Sequence, residues 1–64
     1  MNHMKLTSVK ILQDLYNDFK RATVTTKVTL QKVTNRTLYL YLTDLQFKEQ
    51  IDLMDKLTVS GSSL

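Results

Sequence analysis

The order of hydrophobic patterns constrains this chain most: a strand pattern over residues 5–12 runs straight into two short helix patterns, 13–24 and 29–42. A unit of that size cannot enclose a core by itself. A lone strand also lacks partners for its backbone N–H and C=O groups. The simplest remedy for both deficits is a second copy, with the two strands pairing antiparallel across a two-fold axis.

The rest of the composition narrows the means of stabilisation. Sixty-four residues make one domain at most, near the size where a single chain buries too little surface to be secure. Cysteine is absent, so disulfides are excluded, and His3 is the only histidine, so no zinc cluster can be assembled. No metal and no cofactor is expected. Gly61 is the only glycine, which removes glycine-rich phosphate loops, and the residues for a catalytic constellation are missing. The expectation is therefore not an enzyme. No apolar run reaches the 18 or so residues of a membrane span, and no signal peptide precedes the folded pattern, so the chain reads as cytoplasmic.

Charge is unevenly placed. Residues 1–42 carry Lys5, Lys10, Lys20, Arg21, Lys27, Lys32 and Arg36 against Asp14 and Asp18, a net of +5. Residues 43–64 carry Lys48 and Lys56 against Asp44, Glu49, Asp52 and Asp55, a net of −2. Dimerisation doubles the basic half on a small body, enough to attract a polyanion.

Along the chain, residues 1–4 carry no pattern and are expected to fray. In residues 5–12 the β-branched Thr7, Val9 and Ile11 recur at period two and are assigned to the protein side. Leu6, Ser8, Lys10 and Leu12 then face away. The spacing over 13–24 predicts a helix with Leu15, Phe19 and Ala22 on one face and Tyr16 beside them. Asp14 and Asp18 near its start and Lys20 and Arg21 near its end suit the helix dipole, whereas Leu12 is a poor N-cap. The β-branched crowd from Val24 to Thr29 breaks that helix, and Thr29 is a plausible N-cap for the next. The second helix spreads Leu30, Val33, Thr37, Leu38, Tyr41 and Leu42 over a broad apolar face, as a dimer interface requires.

Thr43 and Gln46 resemble a capping box, and Phe47, Ile51 and Met54 follow at helical spacing, so a third helix is expected over roughly 44–57. Running on as one bent helix with the second is the alternative. Residues 58–64, rich in serine, are expected to be disordered. The aromatic residues Tyr16, Phe19, Tyr39, Tyr41 and Phe47 are read as core or interface rather than as base-stacking platforms.

The residues Val9-Lys10-Ile11, Asp14-Leu15-Tyr16, Phe19-Lys20, Val28-Thr29-Leu30, Val33, Asn35-Arg36-Thr37-Leu38 and Tyr41-Leu42 together resemble the ribbon–helix–helix transcriptional repressors of the plasmid type. The resemblance covers about residues 5–42. It implies a mainly α fold with one short β-strand, an intertwined homodimer joined by an intersubunit two-stranded antiparallel ribbon. The helix over 43–57 lies outside the shared pattern. Lys27 stands where that family often has glycine, and Leu12 where it often has proline or serine, so the turn must be built differently or hold a lysine at strained dihedrals.

The resemblance implies that the ribbon enters the major groove of double-stranded DNA, with Leu6, Ser8 and Lys10 of both copies at base edges. Lys10 would donate to guanine, and Leu6 would touch at most a thymine methyl. The start of the second helix supplies a phosphate site through the N–H groups around Thr29, Leu30 and Gln31, flanked by Lys27 and Lys32, with Lys5 reaching the backbone from the ribbon. Thr7, Val9, Ile11, Leu15, Phe19, Leu30, Val33, Leu38 and Tyr41 are expected to form the dimer core.

The function expected is a sequence-specific, plasmid- or phage-type repressor that occupies operator DNA as a homodimer, with pairs of dimers on neighbouring half-sites. One alternative is a DNA-binding antitoxin or partition adaptor whose 43–57 segment binds a protein partner. Another is a small helical interaction protein with no role on DNA.

Overall fold

The computed structural model describes residues 3–59, 62 and 63. It contains three helices, α1 (Gln13–Ala22), α2 (Leu30–Thr43) and α3 (Leu45–Asp52). Near the end, β1 (Thr58–Val59) pairs antiparallel with β2 (Ser62–Ser63), Thr58 opposite Ser63 and Val59 opposite Ser62. The expected disorder over 58–64 therefore gives way to a short backbone pairing, with Ser60, Gly61 and Leu64 outside the described residues.

Residues 5–12 are not a strand, and this overturns the ribbon–helix–helix assignment. They form no ladder, and the ladder among the described residues lies at the opposite end of the chain. Period-two alternation shows only which positions a strand would present to each side. A strand also needs a neighbour to take its backbone hydrogen bonds, and nothing in this chain lies alongside. The segment is instead an uncovered arm: Leu6 is 98% exposed and Val9 72%.

The helix boundaries follow from local chemistry. Leu12 provides no side-chain cap for α1, as its apolar side chain requires. The helix stops at Ala22, two residues short of the expected end: Thr23 still gives its N–H (3.1 Å) and its hydroxyl (2.9 Å) to the Phe19 carbonyl, but its dihedrals, φ −104° and ψ 10°, leave the helix. The turn ends with the Lys27 N–H donating to the Thr23 carbonyl at 2.8 Å, and Lys27 sits at φ 58°. A lysine thus occupies the left-handed conformation that glycine takes freely, at a cost of about 1–2 kcal/mol.

Thr29 caps α2, accepting the Lys32 N–H at 3.2 Å. At the other end, the cap of α3 is Asp44, one residue later than the Thr43 start expected. Its carboxylate accepts the Phe47 N–H at 3.2 Å, while the Thr43 hydroxyl donates to the Tyr39 carbonyl of α2 at 2.8 Å. Asp44 takes extended dihedrals, so α2 and α3 are two helices with a corner rather than one bent rod. The third helix ends at Asp52 instead of 57, with Leu53 as its C-cap giving its N–H to the Glu49 carbonyl.

The principal contact between elements is α2 against α3. Among the described residues none is fully buried. The most covered are Leu12, Tyr16, Phe19 and Thr23 along one stripe of α1, then Val28, Val33, Tyr41 and Phe47. That stripe is rotated from the expected one, so Leu15 and Ala22 are exposed. Of the expected dimer core, Phe19, Val33 and Tyr41 are half-covered, and Thr7, Val9, Ile11, Leu15, Leu30 and Leu38 are open to solvent.

The molecule is accordingly expanded. Its radius of gyration is 13.5 Å, against about 11 Å for a compact chain of this length. Its accessible surface is 6224 Å², against about 4,200 Å² for a compact chain of this mass.

Candidate nucleic-acid interface

Two stretches supply the residues expected to meet DNA. In the arm, Lys5, Leu6, Ser8 and Lys10 are all exposed. At the start of α2, the Thr29 hydroxyl satisfies the Lys32 N–H, which leaves the Leu30 and Gln31 N–H groups without acceptors inside the helix. Those two donors, at the positive end of the helix dipole, are what a phosphate oxygen would meet. Thr29 itself acts there as the cap.

Lys27 before that helix start, Lys32 in the first turn and Arg36 one turn further on are exposed. Lys32 and Arg36 are one turn apart and so share a face of α2, a pairing that the sequence reading counted as charge without placing. Its signal was the i, i+4 spacing. Among the described residues the ion pairs are Arg21 with Asp18 and Lys48 with Asp52. Lys5, Lys10, Lys27, Lys32 and Arg36 take part in neither. A cation without a carboxylate partner keeps its full charge for an external anion. Lys20 in α1 and Lys56 beyond α3 also take part in neither ion pair, so five of these seven unshared cations lie in the arm, the turn and the first half of α2.

The other half of the molecule is organised differently. The Tyr41 hydroxyl donates to Asp52 Oδ1 at 2.6 Å, and Lys48 Nζ donates to Asp52 Oδ2 at 2.6 Å. The same ammonium lies 5.4 Å from the centre of the Tyr41 ring. This clasp ties the end of α3 to the last turns of α2. Hydrogen bonds from Lys48 and then Tyr41 hold the Asp52 carboxyl below its usual range. The Asp52 hydrogen bond raises both the Lys48 ammonium and the Tyr41 phenol above theirs. Sequence reasoning placed Tyr41 in a dimer core and missed this role. Only the i, i+4 spacing of Lys48 and Asp52 could have hinted at it.

Among the described residues no group of acidic, histidine or cysteine side chains could hold a metal ion, and no helix is long and apolar enough to cross a membrane. No family model, no curated protein and no solved structure matches the chain.

Proposed function

We propose that the chain is a cytoplasmic transcriptional repressor that binds double-stranded operator DNA as a homodimer. The observation that carries the reading is the start of α2: two N–H donors without helical acceptors, with Lys27 three residues before the helix, Lys32 in its first turn and Arg36 one turn further on, none of them in an ion pair among the described residues. A helix start with unshared cations is suited to the DNA backbone. Phosphate contacts there set the register of the protein on the duplex. The exposed arm supplies the base-reading groups, with Ser8 and Lys10 as donors to base edges and Leu6 against a thymine methyl.

Selection of bound duplexes from a random pool tests this. A repressor enriches a defined site, and Lys10→Ala reduces discrimination between that site and random DNA by roughly 1–3 kcal/mol. Lys32→Ala weakens binding to all sequences about equally and lowers the salt slope by about 2, about 1 from each copy. An unenriched pool contradicts the reading.

A further inference from the structure

We infer that the arm, residues 5–12, of one copy docks on the outer face of α3 in a second copy, and that the exchange is reciprocal across a two-fold axis. This deepens the dimer part of the reading above and stands apart from DNA binding, since a dimer that ignores DNA leaves it intact.

Surface area demands a cover. The chain exposes 6224 Å², roughly 2,000 Å² more than a compact chain of its mass. For a pair that is roughly 4,000 Å², within the range of obligate dimers. The arm and α3 both contribute to the excess. Val9 is 72% exposed and Leu53 82%, and Ile51 and Met54 are open as well.

Charge selects the occupant. The outer face of α3 has an open depression of about 450 Å³ lined by Asp44, Gln46, Phe47, Glu49, Gln50 and Leu53. It brings apolar Phe47 and Leu53 together with acidic Asp44 and Glu49. Asp44 already caps α3, while Glu49 takes part in neither ion pair of the described residues. A complementary segment needs a cation followed by apolar side chains on the same side. In an extended run, alternate positions share a side, and Lys5, Thr7, Val9 and Ile11 meet that need. Their alternates, Leu6, Ser8 and Lys10, stay outward for DNA, so Lys5 goes to the acidic rim rather than to a phosphate.

The arm does not lie on the α3 of its own chain, as the openness of Val9, on the side meant to be covered, shows. Two acidic α3 faces would repel one another, which disfavours a direct α3–α3 contact. The Tyr41–Asp52–Lys48 clasp holds the receiving face in place on α2 before a partner arrives.

Sedimentation equilibrium of the full chain without DNA, at tens of micromolar, is the test. The wild type is expected at twice its 7.5 kDa chain mass. Leu53→Asp and Lys5→Glu each raise the dissociation constant about tenfold or more, with helicity by circular dichroism unchanged. The pair Lys5→Glu with Glu49→Lys regains most of the loss, a recovery that no general unfolding produces. A wild type sedimenting as one chain overturns the inference and returns the α3 face to a different protein. So does a dimer indifferent to both single changes, or a double variant no better than Lys5→Glu alone.

Discussion

At the scale of single residues, two positions around the turn between α1 and α2 carry separable roles. Thr29 accepts the Lys32 N–H, so Thr29→Ala removes a cap and is expected to cost about 1 kcal/mol in urea denaturation. Lys27 stands at φ 58°, where a Cβ is crowded. Lys27→Gly is therefore expected to raise stability by a few tenths to about 1 kcal/mol, after the extra backbone freedom of glycine in the unfolded chain is offset. The same change removes a cation from the proposed phosphate site, so it weakens binding to every DNA sequence alike. Loss of stability in Lys27→Gly, or undiminished DNA affinity, would contradict this account of the turn. Thr29 was readable from the sequence as a cap, and for Lys27 the sequence left open a differently built turn or a strained lysine, of which the structure has the second. Thr29 has the side chain a helix start requires. Tyr41 was not readable, because its partner Asp52 lies eleven residues away, across a corner whose angle no local pattern states.

At the scale of elements, the corner between α2 and α3 depends on the clasp. The signs of its titrations are defined. Asp52 is held below its usual range, so its contribution is present at neutral pH and is lost as pH falls through that lowered value, below about pH 4. Lys48 and Tyr41 are raised, so theirs is present at neutral pH and lost as pH rises through their raised values, above about pH 10. Helicity followed by circular dichroism is expected to be flat between these limits and to fall at both. Asp52→Asn should remove most of both limbs, and limbs of unchanged size in that variant would show that the clasp does not hold α3. Helices were the legible elements: each was expected from periodicity and each is present, with ends displaced where Thr23 and Asp44 capture backbone groups. The arm was misread for a physical reason. Alternation of Thr7, Val9 and Ile11 is a local property, whereas a strand is defined by a neighbour.

At the scale of the whole molecule, no residue among those described is fully buried, and the chain has a basic and an acidic half. In the proposal, the acidic, apolar half meets a second copy and the basic half meets DNA. Composition made that division visible, since the net charge changes sign near the end of α2. The measurement that tests it most directly is the affinity of the chain for its selected duplex, and for a scrambled duplex, as a function of salt. With Lys27, Lys32 and Arg36 of both copies on phosphates, log affinity is expected to fall against log salt with a slope of about −5. The selected duplex is expected to bind at least about a thousandfold tighter at moderate salt. A slope near zero, or equal affinity for the two duplexes, would contradict the account.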